Sequence, residues 1–296
     1  MRIVVTGAGG MLGHDLVEEL QVGHEALPFG RVDLDVTDFE ATGRKIKAAR
    51  PEVIIHAAAY TDVDGAETNP EQAYQINALG TQNVVLAAQK IKALVVYIST
   101  DYVFDGQKKS PYHEFDPPNP QGVYARSKLA GEWYVQALLD RFVIVRTSWL
   151  FGRTGKNFVR TILKQAREGG VLKVVCDQVG SPTYTKDLAR EIARLIPTHR
   201  YGIYHITNQG ACSWYEFAAK ILEFSGIRRE LIPITTQELA RPAPRPAYSV
   251  LANLCLELTI GRRMPCWEEA LQEYLHHSPI TLPQTGIEDI PQPIPQ

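Results

Sequence analysis

Mostly apolar runs alternate with longer amphipathic segments along the first half of the chain. The runs that read as buried strands lie at residues 2–6, 53–56, 94–98 and 142–146. The segments between them have the apolar periodicity of helices, as at residues 14–20. Strands that alternate with helices predict an α/β fold with a doubly wound parallel sheet, in which helices cover both faces.

A glycine-rich turn joins the first predicted strand to the first predicted helix. Gly7, Gly10 and Gly13 have the spacing G-x-x-G-x-x-G, a variant of the dinucleotide-binding fingerprint. The early glycines allow a tight turn and a close approach of the backbone to a pyrophosphate, while Gly13 lets the helix pack on the strand. We therefore predict a Rossmann-type sheet whose first turn, with Met11 and Leu12, binds a dinucleotide. A glycine turn without a ligand is the less favoured alternative.

A further strand, the second in chain order, is predicted at residues 25–29, and its end bears on the choice of cofactor. Many NAD-selective folds place an acid there to bind the ribose 2′-hydroxyl, whereas this chain has Phe29, Gly30 and Arg31. An arginine at this point suits a 2′-phosphate, although a solvent-exposed loop charge is the alternative. The sequence therefore predicts NADPH or NADH, with a preference for NADPH. We expect Asp35 and Val36 beside the adenine.

Small residues follow the third predicted strand at 53–56. The strand runs into Ala57, Ala58, Ala59 and Tyr60. Small side chains at the carboxyl end of a strand let a flat ligand lie close to the sheet. We assign these four residues to cofactor binding.

The fourth predicted strand and the helix after it carry candidate chemistry. Thr100 and Asp101 follow the strand, where side chains face the ligand crevice of an open α/β sheet. Tyr124 and Lys128 lie four residues apart, on one face of the next helix. Tyrosine titrates near pH ~10, so an adjacent ammonium group would stabilise its phenolate and make it useful as an acid or base. From this spacing alone, a tyrosine and a lysine that lie four residues apart by chance on a solvent-exposed helix face are an alternative to an acid/base pair.

Composition excludes several classes of partner. The chain has 296 residues, a formal net charge of -2 and a sequence pI near 6.5. Its lysines and arginines form no long basic stripe, so we expect neither nucleic acid nor an anionic membrane as a partner. The four cysteines contain no C-x-x-C pair, and no apolar run approaches the ~20 residues of a membrane span. We expect a cytoplasmic protein.

The later part of the chain predicts a smaller unit. A strand at 171–176 precedes a helix at 186–195, Ser213 and Glu216 have the spacing of a helix capping box, and a final helix is expected at 264–277. We divide the chain into a dinucleotide-binding domain to which later segments return, a smaller α/β lobe that mainly binds substrate, and a proline-rich tail that is extended or disordered. These are residues 1–160, 161–277 and 278–296.

Several motifs together resemble the extended short-chain dehydrogenase/reductase superfamily. They are the glycine turn, the strand-end Thr100, and Tyr124-x-x-x-Lys128. Within that superfamily the chain is most similar to the dTDP-4-dehydrorhamnose reductase family, and the resemblance extends from Met1 to about Tyr274. It rests on STDYVFDG at 99–106, RTSWLFG at 146–152, QVGSPT at 178–183 and GIYH at 202–205.

The resemblance implies a reaction. The family reduces the C4 ketone of a dTDP-linked 4-keto-6-deoxy sugar, dTDP-4-dehydro-β-L-rhamnose, to dTDP-L-rhamnose with a nicotinamide cofactor. By this resemblance Tyr124 protonates the developing alkoxide, and Lys128 lowers the pKa of the tyrosine and binds the nicotinamide ribose. Thr100 would bind the carbonyl oxygen and stabilise its developing charge. Asp101 and Trp149 are expected to contact the sugar.

Three features leave alternatives open. Arg241 and Arg245 resemble an arginine-proline segment that lies near the diphosphate in the family, but they also suit a charged surface linker. Ala252 stands where relatives often carry aspartate, so a role for its loop is in doubt. Asp15 lies where relatives use a carboxylate to bind magnesium at a dimer contact. The rest of that ligand set is not matched, so we predict no metal. A homodimer is compatible with the resemblance.

Two other functions share these motifs. A nucleotide-sugar 4-epimerase or 4,6-dehydratase also uses Tyr-x-x-x-Lys, but a dehydratase would carry an acid pair after the threonine, where this chain has Tyr102. A non-catalytic protein similar to the regulatory β subunit of methionine adenosyltransferase is the second alternative. Intact Thr100, Tyr124 and Lys128 favour an enzyme.

Overall fold

The fold is that of a computed structural model, which describes residues 1–277. The predicted tail at 278–296 lies outside the described residues. The strands are β1 Arg2–Thr6, β2 Glu25–Phe29, β3 Val53–His56, β4 Leu94–Thr100, β5 Phe142–Thr147, β6 Leu150–Phe151, β7 Leu172–Val175, β8 Val179–Gly180, β9 Thr183–Tyr184, β10 Gly202–His205, β11 Cys212–Ser213 and β12 Leu231–Ile234. The helices are α1 Met11–Leu20, α2 Phe39–Ala49, α3 Val63–Thr68, α4 Pro70–Tyr74, α5 Thr81–Ile91, α6 Val123–Leu138, α7 Phe158–Glu168, α8 Thr185–Leu195, α9 Trp214–Phe224, α10 Thr236–Leu239, α11 Leu254–Ile260 and α12 Trp267–His277.

Six parallel strands form the central sheet, in the order β10-β5-β4-β3-β1-β2. The strand order reverses between β1 and β3, because β2 lies on one side of β1 whereas β3, β4 and β5 follow one another on the other side. In such sheets ligands bind in the crevice at the carboxyl ends of the strands, next to this switch point. The predicted Rossmann-type doubly wound sheet is confirmed.

Helices cover both faces of this sheet. On β1, Ile3 and Val5 pack into one hydrophobic cluster with α1 and α8, whereas Val4 packs into a second cluster with α2, α5 and α6. Successive strand residues point to opposite faces. Both faces are therefore buried, and this explains why the strands read as continuous apolar runs.

A third hydrophobic cluster builds the second lobe. Its members include Phe151, Tyr184, Phe217, Trp267 and Tyr274. They pack beside α7, α9 and α12 and beside three two-stranded sheets, β7 with β12, β8 with β11, and β6 with β9. Within the predicted lobe region, however, β10 pairs with β5 in the central sheet.

Two helical regions have features that the sequence did not indicate. A π-helical turn at Gln75–Gly80 lies between α4 and α5. The last helix begins at Trp267, three residues later than expected. Among residues 1–277, no helix combines the length and apolarity that a membrane span requires.

Candidate active site

A cleft of about 1050 Å³ opens at the carboxyl ends of the central strands. The loops after β1, β3, β4 and β5 line it together with the first turns of α6. The predicted site residues in its wall are Gly7, Gly10, Met11, Leu12, Gly13, Arg31, Asp35, Val36, Ala57, Ala58, Ala59, Thr100, Asp101, Tyr124, Lys128 and Trp149. Tyr60 is not among the lining residues. Its backbone N–H instead donates to the Asn77 side chain at 2.8 Å.

The glycine turn brings the end of β1 against the loop after β3. Gly7 has a φ of +68°, and a Cβ atom there would lie 2.6 Å from the backbone nitrogen of Ala58. A Cβ at Gly13 would overlap the Gly7 carbonyl oxygen and lie 2.8 Å from the α-carbon of Ala8. Only glycine permits this backbone contact, which leaves an open cradle at the start of α1.

The far end of the cleft combines an exposed cation with a fixed loop. Arg31 is exposed and lines the cleft. Asp35 accepts hydrogen bonds from the backbone and hydroxyl of Thr37 at 2.9 and 2.8 Å, and these bonds lower its pKa. The side-chain amide of Asn83 donates to the carbonyl oxygen of the buried Val36 at 2.9 Å. The loop is therefore held in place while the arginine stays accessible.

Lys128 is tied to the strand that ends in Thr100. Its side chain is buried, its Nζ donates to the carbonyl oxygen of Ile98 at 2.6 Å, and it lies 4.1 Å from the centre of the Tyr97 ring. Burial lowers the pKa of Lys128 to about 7, against the opposing charge of Glu132. The amine is thus poised to titrate near neutral pH.

Tyr124 lies one helical turn before Lys128 and is half-buried. Burial raises the pKa of Tyr124 to about 12, although Thr100 opposes the shift. The expected lowering of the tyrosine pKa is therefore wrong for the protein alone, because desolvation of the phenolate by burial has the largest effect on it. The high pKa keeps the phenol protonated, which is the form that donates a proton.

Asp101 is a buried carboxyl group in the wall of the cleft. Its Oδ1 accepts a hydrogen bond from the Thr100 hydroxyl at 3.1 Å, while its buried Oδ2 forms no hydrogen bond of normal geometry. The Ser249 hydroxyl lies near enough to oppose the effect of burial on the pKa of this carboxyl group. Burial raises the pKa of Asp101 to about 7. A buried polar atom without a hydrogen bond of normal geometry is unusual and suits a site that receives a hydrogen bond from a ligand.

Sequence reasoning missed a buried ion pair behind the site. Glu132 accepts two hydrogen bonds from Arg146, at 3.0 and 2.7 Å, and one from the hydroxyl of Ser99 at 2.5 Å. These residues join three elements of the site. Tyr124 lies on α6, Thr100 ends β4, and β5 leads into Trp149. The one signal in the sequence was that Glu132 follows Lys128 by four residues, which places both on one helix face. It did not indicate the partners of Glu132, because Arg146 and Ser99 lie on other elements.

Sequence reasoning also missed Trp214 as a cleft residue. The structure confirms the predicted capping box of Ser213 and Glu216, which makes Trp214 the first residue of α9. Its ring lies in the cleft wall, stacked against Trp149. A capping signal defines where a helix begins, but it does not say which residues its first side chain meets.

Asp15 already has partners in the protein. Thr185 donates a hydrogen bond to its Oδ2 at 2.5 Å, and Arg153 forms ion pairs with both Asp15 and Glu18. Side-chain ligand atoms of His14, Asp15 and Glu18 lie within 4.8 Å of one another. The guanidinium group neutralises these carboxylates, so their grouping alone does not indicate a metal site.

The whole described chain has relatives of known family. A family model described as the RmlD substrate binding domain matches residues 1–279. The chain is 44% identical to a crystallised dTDP-4-dehydrorhamnose reductase (rfbD) from Bacillus anthracis in complex with NADP, with a TM-score of 0.92 over 94% of this chain and 99% of that one. It is 43% identical to the Bacillus subtilis spore coat polysaccharide biosynthesis protein SpsK, over 93% of this chain and 96% of that protein. It is 38% identical to dTDP-4-dehydrorhamnose reductase from Aggregatibacter actinomycetemcomitans, over 92% and 97%.

Proposed function

Because the chain belongs to the RmlD substrate binding domain family, we propose that it reduces the C4 ketone of dTDP-4-dehydro-β-L-rhamnose to dTDP-L-rhamnose with NADPH. One observation carries the proposal. A single cleft brings together the glycine cradle, Thr100, Tyr124, Lys128 and Trp149. These are the parts that a hydride-dependent ketone reduction needs: a dinucleotide site, a carbonyl partner, a proton donor and a sugar surface.

The residues present fit a nicotinamide dinucleotide. Gly7 and Gly13 allow the close backbone contacts that hold the glycine turn against its neighbours, and this turn lines the cleft at the start of α1, where backbone N–H groups can bind a pyrophosphate. Arg31 is exposed at the adenosine end and suits a 2′-phosphate, which favours NADPH over NADH. The cofactor supplies the hydride. Asp35, Val36 and the alanines at 57–59 would hold its adenosine half, and Lys128 its nicotinamide ribose.

The remaining steps are carried out by the chain. On substrate binding, the Thr100 hydroxyl turns from Asp101 Oδ1 and donates its one hydrogen bond to the ketone oxygen, so it stabilises the negative charge that develops there. Tyr124 transfers its phenolic proton to that oxygen, and the charge of Lys128 stabilises the phenolate left behind. Asp101 accepts a hydrogen bond from a sugar hydroxyl through its buried Oδ2, and Trp149 packs against the sugar ring.

The test follows NADPH absorbance with the dTDP-linked ketone as substrate. We expect oxidation of one NADPH for each ketone reduced, and a loss of roughly 10²- to 10⁴-fold in kcat for Tyr124→Phe, with NADPH binding unchanged. A 4-epimerase would interconvert the sugars without net oxidation, and a non-catalytic homologue would bind without turnover. A Tyr124→Phe variant with full activity would overturn the proposed role of the tyrosine.

Further features of the proposal concern assembly, location and domains. We propose a homodimer, which light scattering during gel filtration would measure, and a cytoplasmic location. All four cysteines are free, as expected in a reducing compartment. We also propose that residues 1–160 mainly bind the cofactor and residues 161–277 mainly bind the nucleotide sugar.

A further inference from the structure

Trp149 and Trp214 form a parallel stack in the wall of the cleft. Their ring centroids are 3.5 Å apart and their planes differ by 7°. Both residues line the cleft and both are half-buried. Phe158 packs against Trp214 with a centroid distance of 4.5 Å. Because Trp214 covers one face of the Trp149 indole, a ligand cannot stack on that face.

The backbone of Trp149 is held in an unusual conformation. Its φ of +47° lies in the left-handed region, which a bulky residue adopts only when its surroundings impose it. The N–H of Thr183 donates to the carbonyl oxygen of Trp149 at 3.2 Å, and the hydroxyl of Ser148 donates to the carbonyl oxygen of Ser181 at 2.7 Å. The segment that contains β8 and β9 therefore fixes the backbone from which this indole projects, and leaves its side-chain rotamer to be set by packing.

Gly180 leaves the space that the stack requires. A Cβ atom at Gly180 would lie 2.5 Å from Cε2 of Trp149, so any side chain there would displace the indole. Cys212 on β11 pairs with Gly180 on β8, and Ser213 then caps α9. The short ladder between β8 and β11 thus links Gly180, which lies beside Trp149, to Ser213, which precedes Trp214. Both indoles are held by the same small sheet.

We propose that Trp214 is a positioning residue, which holds the indole of Trp149 in the orientation that packs against the sugar. This inference rests on the proposed function and adds to it a residue that determines apparent affinity for the sugar. A half-buried indole without its stacking partner would sample several rotamers and would have to be ordered on binding. The free-energy cost of ordering one such side chain corresponds to a Kd that is about 2- to 12-fold higher.

The first experiment compares three variants. For Trp214→Leu we expect the KM for the dTDP-linked ketone and the Kd for dTDP-L-rhamnose, measured by calorimetry, to rise roughly 10-fold. We expect kcat and the KM for NADPH to stay within about twofold, because the hydride and proton groups are untouched. Trp214→Phe retains an aromatic ring, so its KM and Kd for the sugar nucleotides should lie between those of wild type and of Trp214→Leu. Trp133→Leu, at a tryptophan that is 63% exposed and outside the cleft, should behave as wild type.

Two readouts separate positioning from a general loss of structure. Stacked indoles produce a coupled circular dichroism signal, which should vanish in Trp214→Leu and in Trp149→Phe but persist in Trp133→Leu. In the Trp149→Phe background, Trp214→Leu should have little further effect on the Kd, because Trp214 acts through Trp149. If the two substitutions are additive, Trp214 contacts the sugar directly and the inference is wrong. If Trp214→Leu does not fold, the same double-mutant cycle is measured with Trp214→Phe, and it decides whether Trp214 acts through Trp149.

The outcomes also distinguish this inference from the proposed function. A wild-type enzyme that turns over, with an unchanged KM and Kd in both Trp214 variants despite a lost stacking signal, overturns the inference alone. A wild-type protein that binds dTDP-L-rhamnose but does not oxidise NADPH overturns the proposed function, and the calorimetric cycle still decides the inference. Absence of nucleotide-sugar binding by the wild type overturns both.

Discussion

Arg245 forms a two-point ion pair with Asp64 on α3. Its Nη1 and Nη2 lie 3.0 and 2.9 Å from the two carboxylate oxygens, and Arg241 adds a further contact at 3.0 Å. These contacts lower the pKa of Asp64 to about 2, with Arg245 the largest cause. The two arginines that resemble a diphosphate-binding segment therefore both contact Asp64, whose single negative charge offsets one of their two positive charges. A diphosphate would have to compete with Asp64 for them.

Asp64→Asn tests what this ion pair contributes to stability. The folded pKa is lower than that of an unfolded aspartate, so the pair stabilises the protein above pH ~4 and the benefit is lost as the pH falls towards about 2. We expect the variant to lose roughly 1 kcal/mol of unfolding free energy at neutral pH, since the pair is partly exposed. Urea unfolding across this pH range measures it. Asp140→Asn, at an exposed carboxylate, is the control. Equal losses at pH ~7 and pH ~2 would contradict the explanation.

The pH dependence of the reaction should report Lys128 and not Tyr124. Lys128 has a pKa of about 7, so its charge is present below that pH and is lost above it. Tyr124, with a pKa of about 12, stays protonated across the accessible range. We expect kcat/KM for the ketone to decline above pH ~7 in wild type. In Lys128→Met we expect a lower rate without this decline. A decline with the same midpoint in the variant would assign it to another group.

The glycine turn offers a matched pair of substitutions. Gly13→Ala places a methyl group against the backbone of Gly7 and Ala8, which cannot move without shifting the turn. We expect it to lose about 1–3 kcal/mol of stability and to weaken NADPH binding. Gly9→Ala meets no atom within 4 Å, so its stability should change by less than about 0.5 kcal/mol. Chemical unfolding of both variants measures the difference, and equal losses would disprove the packing argument.

Arg31→Ala tests the preference between cofactors. A charge-assisted hydrogen bond to a 2′-phosphate contributes roughly 1.5–3 kcal/mol, so the KM for NADPH should rise about 10- to 100-fold. The KM for NADH should hardly change, because it lacks that phosphate. Steady-state kinetics with both cofactors measure this. A similar rise for both would show that Arg31 does not recognise the 2′-phosphate.

Local patterns in the sequence were sufficient for the framework of the fold. The apolar runs predicted the central strands because both faces of a parallel sheet are buried. The G-x-x-G-x-x-G spacing predicted the turn after β1, since close backbone contact requires glycine there. The spacing of Tyr124 and Lys128 predicted that they share a helix face. Each of these signals depends on residues that are near one another in the chain.

Contacts between distant residues were decided only by the tertiary structure. Nothing in the sequence pairs Arg245 with Asp64, which lies 181 positions earlier, or stacks Trp214 on Trp149. The direction of the Tyr124 pKa shift was also wrongly expected, because desolvation depends on everything packed around the phenol. Spacing therefore identified which side chains are candidates for the chemistry. Packing of the whole chain decided their partners and their electrostatic environment, because both depend on atoms contributed by every element around the cleft.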